Sequence, residues 1–171
     1  MPEVADSKRL LESQRQIFRN YPQSLYDILK VIHSFNKDRI YVLQEAFDSA
    51  KQFDFEDIAG AWDLLWSLCT ELHELLFRGD GGNIEKKFKD KTNFDLAIKD
   101  SKEVKENAKF MRLRKRTYSG EEVEIIPHLK LDTKGQNLRI HFYVDSDRKL
   151  IVIGHCGDHL DTPGTRRRKE N

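Results

Sequence analysis

The sequence predicts an α+β chain: a helical N-terminal part of four to five helices, then a four-stranded antiparallel sheet at the C-terminus. Two observations lead there. Up to about Lys109 the apolar residues recur every three or four positions, the spacing of one helix face. Beyond it they alternate, most cleanly in Leu138–Val144. There Leu138, Ile140, Phe142 and Val144 fall on one side of a strand, and Arg139, His141 and Tyr143 on the other. The chain divides on this reading into a helical part (1–92), a helix plus sheet with a polar cluster (93–165) and a basic tail (166–171).

In chain order, Asp6 and Ser7 are suited to cap a first helix that runs to about Asn20, with Leu10, Leu11, Ile17 and Phe18 as its apolar positions. Pro22 fits the first turn of a second helix carrying Leu25, Ile28, Leu29 and Ile32. After a break at Asn36–Asp38, a third helix is expected to place Ile40, Leu43 and Phe47 on one face. A fourth, capped by Asp54, spans 55–78, about 36 Å at helical rise. Its stripe is Ile58, Trp62, Leu65, Trp66, Cys69, Leu72 and Leu76, with His73 on the polar side and Gly79 as its stop. The glycines at 79–82 form a turn cluster before a lysine-rich stretch. Asn93 is expected to cap a fifth helix through Leu96, Ile98, Val104 and Ala108.

The sheet begins, on this reading, with a strand that turns Met111 and Leu113 one way and Arg112, Arg114 and Arg116 the other. Ser119-Gly120 is a hairpin turn, Glu122–Ile126 returns, and Pro127 marks an edge or bend. Asp132–Asn137 reads as a loop, followed by strands at Leu138–Val144 and Leu150–His155. Two registers fit the last pair. With Val144 opposite Lys149, Ile140 pairs with Ile153 and His155 joins the apolar face. With Val144 opposite Leu150, Arg139 pairs with His155 and the polar face gains a histidine.

Composition bounds the function. Ten Phe, five Tyr and two Trp supply the apolar mass of a folded core. No apolar run approaches the roughly 18 residues of a membrane span, and the first residues lack a signal peptide's apolar stretch. Two cysteines, Cys69 and Cys156, form no disulfide framework, so a cytoplasmic protein is expected. The net charge of +1 conceals an asymmetry: residues 1–100 balance to −4 and residues 101–171 to +5. A basic half points toward a polyanion; the plainer explanation is two halves that attract each other.

Four of the six histidines, His128, His141, His155 and His159, lie in this basic half. Three chemistries compete for them. One is zinc held by His155, Cys156, Asp158 and His159, whose ligand types suit that metal although the spacing belongs to a helix. Another is metal-free phosphodiester chemistry on RNA, which needs a base, an acid and cations for developing negative charge. Arg139, His141, Tyr143 and His155 would be catalytic, with His128 able to join from a neighbouring strand. Arg112, Arg114, Arg116 and Lys130 would hold the nucleic acid. The RNA 2′-hydroxyl is an internal nucleophile, so no cofactor is expected. The third assigns these histidines ordinary structural hydrogen bonds. A Cys156–His155 nucleophile pair is disfavoured, because adjacent strand residues face opposite ways.

Residues 110–160 resemble the sheet of the RelE/ParE-like bacterial toxins. The resemblance lies in a basic strand, a return strand, Leu138–Val144, a short acidic turn and Lys149–His155. It implies metal-independent cleavage of messenger RNA on the ribosome, or for other members action on DNA gyrase, with neutralisation by an antitoxin partner. Arg139, His141 and His155 are the positions onto which catalytic or RNA-binding roles would fall. The acidic helical half would then be a built-in cover for the basic sheet. The alternatives are a protein-interaction module with no catalysis, and a zinc-dependent hydrolase.

Overall fold

A computed structural model of the chain describes residues 2–18 and 22–165. Asn20, at the expected end of the first helix, and the basic tail 166–171 lie outside the described residues, as do the side chains of Ile17 and Phe18. The α+β class holds, but several elements differ from expectation. In order they are α1 (Pro2–Phe18), α2 (Leu25–Phe35), β1 (Ile40–Val42), α3 (Gln44–Gln52), α4 (Ile58–Ser67), a π-helical turn (Leu68–Leu72) and α5 (His73–Phe77). There follow α6 (Ile84–Thr92), β2 (Asp95–Ala97), α7 (Lys102–Lys105), α8 (Ala108–Arg112), β3 (Lys115–Tyr118), β4 (Glu121–Glu124), β5 (His128–Thr133), β6 (Gln136–Asp145) and β7 (Leu150–Asp158).

The main sheet is mixed and five-stranded, in the order β1-β7-β6-β5-β2, and β3-β4 form a separate hairpin. Of the four strands expected in one antiparallel sheet, only those at 138–144 and 150–155 lie in the main sheet. Those near 111–116 and 122–126 correspond to the separate hairpin, while β5 and both edge strands were not expected. Ile40–Val42 is a strand parallel to β7, with Ile40 opposite Ile151 and Val42 opposite Ile153. Leu96, expected in a fifth helix, pairs with Leu129 across the antiparallel β2–β5 ladder. The lysine-rich stretch is itself helical. The Asn83 side chain caps α6 at Lys86 N, and Asn93 ends it in a left-handed conformation (φ 64°) instead of starting a new helix. The presumed loop 132–137 is a tight hairpin through Lys134 and Gly135, both at positive φ, like the expected turn at Ser119 and Gly120.

Helices cover one face of the main sheet. Leu25, Ile28, Leu29 and Ile32 of α2 pack with Trp62, Leu65 and Trp66 of α4 and Cys69 and Leu72 of the π-turn. The sheet supplies Ile40, Val42, Leu129, Leu138, Ile140, Phe142, Ile151, Ile153 and Cys156 to the same cluster. The long fourth helix is therefore one rod with a π-turn inside it. Asp57, not Asp54, is its N-cap, accepting from Gly60 N at 2.9 Å. The Cys69 carbonyl, in the π-turn, accepts from Arg39 Nη1 at 3.3 Å. His73 is not on the polar surface: it is buried and its Nε2–H donates to the Lys149 carbonyl at 2.8 Å. Among the described residues no helix is long and apolar enough to cross a membrane.

The β3–β4 hairpin and the extended segment after it form a strap over the opposite face. The strap's tip is tied down by Tyr118 Oη, which donates to Asp145 Oδ2 at 2.8 Å. Its far end is held by Arg114, whose guanidinium is 1% exposed and ion-paired to Asp100.

Candidate functional site: a histidine row beside a cationic cavity

Strand register decides where the histidines go. From Asp145↔Leu150 to Phe142↔Ile153 the β6–β7 ladder is regular. A bulge at Gly154 then shifts it, so that His141 faces His155 and Ile140 faces Cys156. Neither simple register expected from the sequence is realised: Val144 faces Ile151, not Lys149 or Leu150, and beyond Phe142 the bulge adds one more residue. A side chain at position 154 would force its neighbours to shift. A Cβ there would lie 2.7 Å from Ile125 Cγ2, where the strap crosses. Across the other ladder His128 faces His141.

His128, His141 and His155 thus form one cross-strand row. Ring centroids are 4.4 Å apart for His128–His141, stacked, and 5.8 Å for His141–His155, edge-on. All three are buried. A carbonyl can only accept, so each contacting ring nitrogen carries its hydrogen. His128 Nδ1–H donates to Ile126 O at 3.0 Å and His141 Nδ1–H to Ile125 O at 2.9 Å. His155 Nε2–H donates to Asp158 O at 2.8 Å. Burial, then the neighbouring His128 and His155, holds His141 well below the ordinary imidazole range. Burial alone is the main cause for His155, pushed down to about 4, and for His128, also lowered. At neutral pH the row is uncharged, and it fastens the strap to the sheet.

One end of the row opens into a cavity of about 380 Å³ at the β2/β5 side of the sheet. His128, Lys130 and Arg139 line it from the strands, Lys99 and Ser101 from the segment after β2, and His159 and Thr162 from the chain after β7. Arg139 is 8% exposed and paired with Asp132. Burial, then the Arg139 charge, lowers the His159 pKa. A groove of about 410 Å³ on α2 is slightly larger, but Asp27 and Lys30, its charged groups, pair with each other at 3.0 Å.

The expected catalytic set is dispersed along this face. Arg139 reaches the cavity. His141 and His155 touch each other beneath the strap and do not line it. Tyr143 belongs to a tyrosine group instead, 6.1 Å from the Tyr118 ring, itself 5.8 Å from Tyr41. Of the expected nucleic-acid contacts, Lys130 lines the cavity and Arg112 is exposed on α8. Two are corrected. Arg114 is buried and donates to Phe110 O, Asp161 O and Asp100. Arg116 Nε donates to the bulge carbonyl of Gly154 at 2.9 Å, and its Nη1 to Leu113 O and Lys115 O. Both arginines hold the strap, Arg114 fully buried and Arg116 half-buried.

The zinc candidates do not converge. Cys156 lies on the helix-covered face, fully buried, its thiol pushed up to about 12 by burial, while His155 is on the other face. Asp158 is exposed and accepts from His159 N. Among the described residues no three His, Cys, Asp or Glu side chains are placed to hold a metal. Lys99 escaped the sequence reading, which also set His159 aside as a metal ligand and His128 as an auxiliary. The available signal was the alternation of His128 and Lys130 with Leu129 and Leu131 straight after Pro127. No family model, curated protein or solved structure matches the chain.

Proposed function

We propose that this is a nucleic-acid-directed protein, with RNA the favoured target, that engages the phosphodiester backbone in the His128/Arg139/His159 cavity and cleaves it without a metal. The observation that carries the reading is the lining itself: three cations, Lys99, Lys130 and Arg139, against two carboxylates, Asp100 and Glu103, beside two imidazoles whose pKa values are lowered. Cations draw in and stabilise a phosphate; an uncharged imidazole can accept a proton from a hydroxyl.

His128 is the base in this scheme. Its Nδ1 hydrogen is committed to Ile126 O, which leaves the Nε2 lone pair as its proton acceptor. Nε2 takes the 2′-hydroxyl proton, the 2′-oxygen bonds to phosphorus and the bond to the 5′-oxygen breaks. The Lys130 or Lys99 ammonium protonates the departing oxygen, since the cavity histidines are uncharged and arginine does not release its proton. The products are a 2′,3′-cyclic phosphate and a 5′-hydroxyl end. The RelE/ParE-like resemblance implies the same class of activity, but its basic and return strands lie in the separate β3–β4 hairpin and not in the main sheet. The reading therefore rests on the cavity and on His128 and His159 in place of His141 and His155.

The test is incubation of the purified chain with single-stranded RNA in EDTA. Cleavage with cyclic-phosphate ends, lost in His128→Asn at unchanged thermal stability, supports the reading. Its rate should fall on acidification only below the ordinary histidine range, because His128 titrates low. Intact RNA under all conditions, with no binding, would leave the cavity without this function.

A further inference from the structure

We propose that the Arg139–His159 side of the cavity is a phosphoryl-binding subsite, in which Arg139 Nε, His159 Nδ1 and the Lys130 ammonium grip one phosphate. It rests on the reading above and specifies which atoms meet the ligand.

Among the described residues four buried hydrogen-bonding side-chain atoms lack protein partners; Trp62 Nε1 and His73 Nδ1 lie elsewhere, and Arg139 Nε and His159 Nδ1 belong to side chains that line the cavity. Arg139 spends Nη1 on Asp132 Oδ1 and Leu138 O, and Nη2 on Asp132 Oδ2, yet its Nε makes no hydrogen bond. This side chain is nine-tenths buried. His159 Nδ1 is likewise shielded from water and unpartnered. A buried polar atom left so costs about 1–3 kcal/mol, and folded chains tolerate few of them. Here two occur in side chains that line the same cavity.

The ladder adds an independent reason. Lys130 and Arg139 are direct cross-strand partners, so two cations face each other on one side of the sheet. Like charges so placed repel. Asp132 offsets one of them. Of the two carboxylates in the lining, Asp100 pairs with Arg114, and Glu103 is left against Lys99 and Lys130, so positive charge remains in excess. What this arrangement lacks is an external anion with several acceptor oxygens, the description of a phosphoryl group. Carried on RNA, it is either an internal diester or a terminal monoester.

The experiment follows the histidine side-chain NMR signals of the full chain in EDTA during titration with inorganic phosphate, then with short RNA with and without a 3′-phosphate. The expected result is a saturable shift at His159 and His128, with His73, which is bonded to Lys149 O away from the cavity, unmoved. Arg139→Gln should weaken phosphate at least about tenfold, the worth of one charge-assisted hydrogen bond. Lys130→Gln, a half-exposed position, should weaken it too and serves should the arginine variant not fold. Competition by both RNAs assigns an internal diester, and competition by the phosphorylated one alone a terminal phosphate. Phosphate bound at His159 that no RNA displaces keeps the subsite and defeats the RNA reading. RNA that binds while His159 stays still, or phosphate shifts that are equal at His73, overturns the subsite.

Discussion

The two faces of the sheet solve opposite problems with the same strands. Toward the helices, β6 presents Leu138, Ile140 and Phe142 to an apolar cluster that rests mainly on shape, with Trp62 Nε1 buried in it without a partner. Toward the strap and the cavity it presents His141 and Arg139, also buried. Buried polar groups need partners, and on this face nearly every one has a named carbonyl or carboxylate. Arg114 has Asp100, Arg116 has Gly154 O, and His141 has Ile125 O. The exceptions, Arg139 Nε and His159 Nδ1, belong to side chains that line the cavity. The lesson is that function is sought where a polar face stops satisfying itself, and not wherever histidines are dense.

The sharpest contrast between the faces should come from breaking each. Arg114→Ala strands the Asp100 carboxylate in a buried site and should cost about 3–5 kcal/mol in urea unfolding. Phe142→Ala on the helix side should cost a similar amount, about 3–5 kcal/mol, through its cavity. The faces separate on the second substitution: the double variant Arg114→Met, Asp100→Leu should regain much of the loss, which no partner change can do for Phe142. An equal loss in single and double variants would mean that the ion pair is not what holds this end of the strap.

Next in size, acid should loosen the polar face alone. His155 titrates at about 4 when folded and near 6.5 when unfolded. Between those values the unfolded chain binds a proton that the folded one refuses. Stability is therefore full above pH 6.5 and falls as pH drops toward 4, by about 3 kcal/mol for this residue. His141 and His128, also lowered, add in the same direction. Hydrogen exchange at pH 5 should show residues 114–127 opening before α4; uniform opening would contradict the strap account. Gly154→Ala should cost about 1–3 kcal/mol, since its methyl meets Ile125 at 2.7 Å. The smallest effect is Tyr118→Phe, about 1 kcal/mol, from the lost bond to Asp145 at the strap's tip.

How much of this was legible in the sequence follows the same division. Local patterns were readable: the α2 stripe, the alternation of Leu138–Val144 and the Ser119-Gly120 turn all stand. Features set by distant partners were not. Ile40, Leu43 and Phe47 fit a helical spacing, and only pairing with β7 makes Ile40–Val42 a strand. Asn93 suits both ends of a helix, so its left-handed role was invisible. The Gly154 bulge depends on Ile125 crossing above it, and it alone puts His155 opposite His141. The basic segment around Arg112–Arg116 looked like an RNA-facing strand. Instead Arg112 ends a short helix, and Arg114 and Arg116 turn inward onto carbonyls. His128 and His159 lie in separate elements, and the fold alone brings them to one cavity.

The most direct test of the claim that the cavity is the working site compares salt-dependent RNA binding, by fluorescence anisotropy in EDTA, for Lys130→Ala and for Lys86→Ala. Lys86 is an exposed cation of α6, paired with Asp90 at 3.5 Å and away from the cavity lining. The expected result is that Lys130→Ala weakens binding and lowers the slope of log K against log salt by about 1, while Lys86→Ala changes neither. Equal effects of the two substitutions, or no effect of Lys130→Ala on RNA that does bind, would contradict it.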